Sequence, residues 1–185
     1  GISKYEYALG TSKGGVETIA WSNISTSTSI TVSDLSLVEN TKYYALVRAT
    51  DNAGNVSAIM IGDGITVDLS SPIGGIVNDG LIADIAYTSA LNTLSGNWTT
   101  FSDQISGIGD YQYAIGTTLN GTDVKDWASN GIDTLFTYSG HELLNTQAYY
   151  LSVKAIDNVG NISDTISSNG VISDQEKPMM GQVID

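Results

Sequence analysis

The chain has 185 residues, contains no cysteine and carries a formal net charge of −13 at pH 7. The absence of cysteine excludes disulfides and thiolate metal sites, and the negative charge argues against nucleic acid and anionic membranes as partners, since both need a basic protein surface. No apolar run approaches the ~20 residues that span a bilayer, so we predict no direct membrane insertion.

One stretch of the sequence occurs twice. Residues 43–57 read YYALVRATDNAGNVS and residues 149–163 read YYLSVKAIDNVGNIS, an offset of 106 residues (149 minus 43). At this offset, residues 1–79 align with residues 107–185 without a gap. The period is too long for a solenoid repeat of the ankyrin or leucine-rich kind, and it has the size of an all-β sandwich.

Alternation of apolar and polar residues predicts strands throughout, with almost no helical periodicity. In chain order, the predicted strands are residues 1–11, 29–32, 43–50, 59–68, 75–77, 84–90, 94–101, 107–117, 134–138, 149–156 and 166–174. The predicted fold class is therefore all-β.

The central strand of each repeat has two distinct faces. We predict a core face and a solvent face, because successive side chains of a strand point to opposite sides. The predicted core residues are Tyr43, Ala45, Val47, Ala49, Tyr149, Leu151, Val153 and Ala155. The predicted outer residues are Tyr44, Leu46, Arg48, Thr50, Tyr150, Ser152, Lys154 and Ile156.

Each central strand runs into an Asp-Asn-x-Gly-Asn turn, where Gly54 and Gly160 supply the positive φ that other residues rarely adopt. A short joint ending in proline follows later in each repeat, at Pro72 and at Pro178. The residue before a proline is held in extended geometry, and we place a domain boundary at each joint.

Several of these features resemble fibronectin type III domains. The spacing from Leu143 to Tyr149 is similar to their tyrosine corner, and Trp98 with Leu94 resembles their second strand. The Ala-x-Asp-Asn-x-Gly-Asn turn is similar to that of bacterial immunoglobulin-like repeats in large surface proteins. The resemblance implies tandem immunoglobulin-like β-sandwiches.

The resemblance and the offset together predict three segments. Residues 1–71 are an incomplete sandwich that lacks its first strands, residues 72–178 a complete one, and residues 179–185 the first strand of a following repeat. Residue 1 aligns with residue 107, so the first unit has no counterpart of the Trp98 strand. We expect the chain to continue upstream with a similar strand; the alternative is that another chain donates it.

The sequence offers little reactive chemistry, and we predict that the chain is not an enzyme. The single histidine, His141, has Leu35 at the equivalent position, which favours a solvated loop residue over a catalytic one. Cys/His dyads and multi-histidine zinc sites are excluded by composition. We interpret the Ser-rich stretches as composition, because no Gly-x-Ser-x-Gly elbow follows an apolar strand.

Two tryptophans, Trp21 and Trp127, occupy equivalent positions in the repeats, and Tyr44 and Tyr150 are predicted to share an outer face. Such rings stack on the apolar faces of sugars when they lie on a wet sheet. We therefore consider glycan stacking at both tryptophans, the alternative being that each ring packs over a sheet edge.

Oxygen-bearing side chains recur near the turns and joints. The candidate calcium ligands are Asp51, Asn52, Asn55, Asp68, Asp157, Asn158, Asn161 and Asp174. Carboxylate and amide oxygens suit Ca²⁺, and we expect each set of four to collect at one end of its unit. The alternative is that Asp and Asn only shape turns.

These observations favour a non-catalytic spacer of an extracellular or cell-surface protein, such as an adhesin stalk that presents a terminal domain. Its partners would be neighbouring repeats of the same chain, other copies, or surface glycans. The alternative is a carbohydrate-binding accessory module of a secreted protein.

Overall fold

The computed structural model describes residues 1–181. It divides into two compact units, Gly1–Leu69 and Ser70–Asp185. Every regular element in the described part of the chain is a β-strand, which confirms the all-β prediction. The strand predicted at residues 179–185 falls mainly on residues 182–185, which lie outside the described residues.

The first unit forms one antiparallel sheet with the strand order β2-β1-β3-β4, and β5 also pairs with β3. Its strands are β1 (Ile2–Gly10), β2 (Ile19–Asn23), β3 (Lys42–Asp51), β4 (Met60–Ile61) and β5 (Ile65–Thr66). The described residues of this unit contain no second sheet.

The second unit contains two sheets, in the orders β10-β9-β12-β14-β7 and β11-β8-β6, with β13 pairing on β12. Its strands are β6 (Val77–Asp79), β7 (Tyr87–Thr88), β8 (Thr93–Trp98), β9 (Ile108–Gly116), β10 (Lys125–Ser129), β11 (Leu135–Ser139), β12 (Ala148–Asp157), β13 (Ile166–Ser167) and β14 (Val171–Ser173). This two-sheet arrangement is the β-sandwich that the sequence predicts.

The core of the second unit lies between its two sheets. Trp98 packs edge-on against Tyr111 with ring centroids 5.6 Å apart, and Tyr113 packs against Phe136 at 4.5 Å. Gly96 lies between Leu94 and Trp98 on β8, where a Cβ atom would overlap the Leu151 side chain. The strand therefore approaches β12 closely because residue 96 has no side chain.

The first unit differs from this arrangement at the equivalent face. Val153 is fully buried, whereas Val47, also predicted as a core residue, is 40% exposed. Residues 29–32 form no strand, although their copy β11 pairs with β8 along its whole length. The strand predicted at residues 29–32 is wrong, and Val47 is exposed on its predicted face, because the described residues of the first unit contain no strand equivalent to β8.

The predicted closing strands, residues 59–68 and 166–174, are each broken into two short pieces. A glycine with positive φ lies in each break, Gly64 at 84° and Gly170 at 93°. The rings of Tyr44 and Tyr150 pack against these glycines, where a Cβ atom would meet them at less than 3 Å. The strands β2 and β10, which carry the tryptophans, were not predicted.

The predicted tyrosine corners are confirmed in both units. Tyr149 is 1% exposed, and its hydroxyl accepts a hydrogen bond of 2.8 Å from the Leu144 amide. Tyr43 is 8% exposed and accepts one of 3.1 Å from the Val38 amide. Each tyrosine therefore ties the loop before the central strand to the start of that strand.

We expect Tyr149→Phe to lower the free energy of unfolding by about 1 kcal/mol or somewhat more, because the Leu144 amide loses its acceptor. Denaturant unfolding followed by intrinsic fluorescence measures the change. Tyr150→Phe is the matched control, since its hydroxyl makes no hydrogen bond to any residue that the structure describes. Equal losses in the two variants would contradict the assignment.

Candidate functional site

The most distinctive surface feature is a tryptophan stacked under a cation in each unit. We call the residues Lys4, Glu6, Trp21 and Arg48, together with Trp127 and Lys154 in the second unit, the tryptophan faces. The Arg48 guanidinium carbon lies 4.3 Å from the centroid of the Trp21 ring, and the Lys154 ammonium nitrogen lies 4.3 Å from that of Trp127. Both distances lie within the range of cation–π attraction.

Strand order explains why the ring and the cation meet. Trp21 is on β2 and Arg48 on β3, and β1 lies between these strands. The residue of β1 next to this contact, Ala8, is completely buried. Because the alanine side chain is small, the Trp21 ring from β2 and the Arg48 side chain from β3 meet above it.

The outer face of each central strand was predicted to be exposed to solvent, but part of it is buried. Leu46 lies opposite Ala8, and Ser152 lies opposite Ala114; all four are fully buried although their side chains point to the outer side. Along each strand, Leu46 and Ser152 are flanked on the same face by an aromatic residue and a cation. The longer side chains on either side cover Leu46 and Ser152.

The electrostatics of the two tryptophan faces differ. Glu6 accepts a hydrogen bond of 3.0 Å from Arg48 Nε, and its other oxygen lies 3.2 Å from Lys4 Nζ. The Arg48 hydrogen bond, followed by that of Lys4, lowers the pKa of the Glu6 carboxyl. The equivalent of Glu6 in the second unit is Gln112, so only the cation–tryptophan pair is repeated.

This geometry limits what the tryptophans offer a ligand. One face of each ring is already covered by a cation from β3 or β12, and both side chains are half-buried. The contact holds the edge strands β2 and β10 to the sheet. Glycan stacking stays a prediction, and it would have to use the remaining ring surface.

The turn residues predicted as calcium ligands hold the turns together. Asp51 Oδ1 accepts backbone hydrogen bonds from Ala53 and Asn55, and Oδ2 accepts one of 2.9 Å from Asn55 Nδ2. These bonds, that from Asn55 Nδ2 first, lower the pKa of the Asp51 carboxyl. Both carboxylate oxygens are therefore engaged within the turn.

The second turn repeats this arrangement. Asp157 Oδ1 accepts hydrogen bonds from the amides of Val159, Gly160 and Asn161, and Oδ2 accepts one of 2.7 Å from Asn161 Nδ2. Burial raises the pKa of the Asp157 carboxyl, but the hydrogen bonds outweigh burial and the net direction is down. Both carboxylates are thus stabilised as anions by the turn.

The other predicted ligands are placed elsewhere. The Asn52 amide donates to the Gly1 carbonyl at 2.9 Å, and Asn158 Nδ2 donates to the Ser106 carbonyl at 2.7 Å. Each asparagine therefore ties its turn to the residues just before β1 or β9.

Asp68 and Asp174 do not join the turns of their own units. Thr66 pairs with Lys42 and Ile172 pairs with Ala148, so both aspartates follow strands that end beside the start of a central strand. Asp51 and Asp157 close the other ends of those ten-residue strands, about 30 Å away. The expectation that the four residues of each unit collect at one end is wrong.

A buried carboxylate, Asp79, was not singled out from the sequence as a buried group. Asp79 is 2% exposed at the end of β6, and its Oδ2 accepts a hydrogen bond of 3.0 Å from the Gly170 amide. Burial raises its pKa to about 6; a Ser168 hydrogen bond opposes this and the nearby Asp84 charge adds to it. The sequence signal for this burial is that Asp79 lies two residues after Val77, on the same face of β6.

The single histidine, His141, packs against an aromatic ring. Its ring lies 6.2 Å from the Tyr149 ring in an edge-on arrangement, and the side chain is half-buried. The histidine therefore packs beside the tyrosine corner.

Comparisons with known proteins give the following. No protein-family model matches the chain. The chain is 29% identical to exoglucanase B of Cellulomonas fimi over 141 residues. The aligned region covers 76% of this chain but only 12% of that enzyme.

The part of the chain that the structure describes holds no helix long and apolar enough to cross a membrane.

Two solved structures are similar to the chain. The fibronectin(III)-like modules of Clostridium thermocellum CbhA align with 98% of this chain and 84% of their own, at 13% identity and a TM-score of 0.46. The FN1–FN3 domains of chicken CNTN1 align with 92% of this chain and 56% of their own, at 16% identity and a TM-score of 0.46.

We expect the contribution of Asp79 to stability to fall as the pH rises from about 4 to about 6. Over this range native Asp79 keeps a proton that the unfolded chain releases, since its native pKa of about 6 lies above the ordinary 3.8. The native state binds more protons, so deprotonation favours unfolding, by about 2 to 3 kcal/mol at most. Urea unfolding at a series of pH values measures this.

Asp79→Asn is the diagnostic variant, because an amide oxygen still accepts from Gly170 but does not titrate. It should flatten the profile and exceed the parent in stability above pH 6. Asp133→Asn, at an exposed carboxylate, is the matched control. An Asp79→Asn profile as steep as that of the parent would refute the role given to burial.

Calcium binding stays a prediction, and thermal melting checks it. A site coupled to folding raises the melting midpoint in millimolar calcium relative to chelator, because a ligand of the native state stabilises that state. Magnesium at the same ionic strength is the control. A midpoint that does not change with calcium would reject the hypothesis.

Proposed function

We propose that the chain is a non-catalytic pair of repeats from an extracellular or cell-surface protein, and that it serves as a spacer of the adhesin-stalk kind. The observation that carries the proposal is that the most distinctive polar and aromatic groups of the two repeats are used within the fold. The turn carboxylates close their own turns and the tryptophans stack with cations of the same sheet.

Repetition supports the same proposal. Both units present the tyrosine corner, the Asp-Asn-x-Gly-Asn turn and the cation–tryptophan pair at equivalent positions. A repeated module that uses the same contacts each time suits a role in setting distance. In this proposal the partners of each unit are neighbouring repeats, and a terminal domain performs the recognition.

The second candidate is a carbohydrate-binding accessory module. The similarity to exoglucanase B favours it, and so do the half-buried tryptophans. The chain matches only 12% of that enzyme, as expected of an accessory segment that accompanies a separate catalytic part. We rank this candidate second because one face of each tryptophan ring is covered.

We expect no retardation of the chain in affinity electrophoresis through cellulose-derived, xylan or chitin-derived polysaccharides, because a cation covers one face of each tryptophan ring. Retardation that disappears in both Trp21→Ala and Trp127→Ala would overturn the spacer proposal and support the second candidate. Tyr87→Ala, at a 64% exposed ring outside the tryptophan faces, is the matched control.

A further inference from the structure

The second unit has an apolar groove close to its buried carboxylate. The groove has a volume of about 270 Å³, and it is lined by the loop that follows β6 and by residues of β7, β8 and β14. Grooves of a few hundred Å³ with mainly apolar linings are the usual form of small-molecule sites. The apolar side chains that line this groove are Leu81, Ile85, Ala90, Leu94 and Val171.

A small cavity inside the same unit adjoins the groove. It has a volume of about 10 Å³, and it shares Leu94, Ser95 and Val171 with the groove. Asp79 lines the cavity together with aliphatic and aromatic side chains. A cavity of about 10 to 15 Å³ holds one water-sized group. An ammonium group has about this size, so the cavity is large enough for one.

Within residues 1–181, the charge of Asp79 has no counter-ion. Its hydrogen-bond donors, the Gly170 amide and the Ser168 hydroxyl, are neutral groups. The ion pairs that the structure describes involve Glu6 instead. Among the described residues, no lysine, arginine or histidine lines the groove or the cavity. A carboxylate removed from water in this way is stabilised by any cation that reaches it.

The other titratable side chains that face Asp79 supply no positive charge. Asp84 follows β6, and its negative charge acts on Asp79. Tyr149 and Tyr150 on β12 line the small cavity. Burial, with the Asp84 charge adding to it, raises the pKa of Asp79 to about 6. The Asp79 carboxyl is therefore ionised at neutral pH and loses its charge in mild acid.

We propose that the groove and the small cavity form a binding site for a small apolar amine. The alkyl or aryl part of the amine lies in the groove, and its ammonium group enters the cavity and pairs with the Asp79 carboxylate. The ligand supplies the cation that no described residue supplies. An alcohol of the same shape lacks the charge and a carboxylic acid reverses it, so the site selects amines. This ligand site is separate from the spacer role.

Hexylamine and hexan-1-ol are a matched pair of probes, since they differ in charge but hardly in shape. NMR titration of the 185-residue chain measures their affinities from the amide signals of Gly80, Thr88 and Gly170, which border the groove or Asp79. At about pH 7.5 we expect hexylamine to bind about tenfold more tightly than hexan-1-ol or better, because only the amine pairs with the carboxylate.

This preference should disappear in mild acid. An alkylammonium stays charged throughout the range, whereas the Asp79 carboxyl takes up a proton as the pH falls through its pKa of about 6. The hexylamine affinity at about pH 5 should therefore be about tenfold lower than at about pH 7.5. The affinity for hexan-1-ol should stay the same.

Matched variants separate the site from a general attraction of cations to an acidic chain. Asp79→Asn should lower the hexylamine affinity to that of hexan-1-ol. Asp133→Asn removes one exposed charge instead, and it should leave the affinity unchanged. Leu81→Ser should weaken both probes because it removes apolar lining, whereas Ile82→Ser, at a neighbouring side chain that is 97% exposed, should weaken neither.

Three results would overturn the amine site. They are the absence of binding by hexylamine, equal affinities for the two probes at neutral pH, and hexylamine binding that Asp133→Asn weakens as much as Asp79→Asn. The comparison of probes and the pH profile use the parent chain alone, so a variant that does not fold leaves them decisive. The polysaccharide experiment is independent of these titrations, so the spacer role and the amine site can fail separately.

Discussion

The architecture depends on covering the apolar face of the central strand pair. In the second unit, β8 approaches β12 closely at Gly96, and Trp98 and Phe136 fill the space on either side. Each large side chain buried in this way contributes about 1.5 to 3 kcal/mol, which is a substantial part of the ~5 to 15 kcal/mol that stabilises a domain. In the first unit the same strand pair has its tyrosine corner and turn, but its described residues supply no second sheet.

Several carboxylates in both units accept hydrogen bonds from backbone amides. Asp51 and Asp157 gather the amides of their turns, while Glu17 and Asp123 accept from the amides of Thr11 and Thr117 at the ends of β1 and β9. A carboxylate used in this way stabilises a loop that would otherwise leave amides without acceptors. Asp79 is different, because it is buried deeply enough that its charge opposes folding, and it links β6 to the turn before β14.

Each cation–tryptophan pair is a contact within one sheet, and it leaves less of the ring for a ligand. An alanine on the intervening strand lets the ring lie above the sheet, and a cation two strands away covers it. The contact joins the edge strand to the centre of the sheet, and this structural role accounts for its recurrence in both units. For this reason we rank a spacer above a carbohydrate-binding module.

The sequence alone determined the period, the all-β class, the Asp-Asn-x-Gly-Asn turns and both tyrosine corners, because these follow from local spacing and side-chain alternation. The tertiary structure decided what depends on pairing between distant segments. Residues 29–32 lack the partner strand that makes their copy a strand, and Leu46 is buried because side chains from neighbouring positions close over it. Asp68 and Asp174 lie far from the turns of their own units because strand register, which no local pattern encodes, sets them at the opposite ends of the central strands.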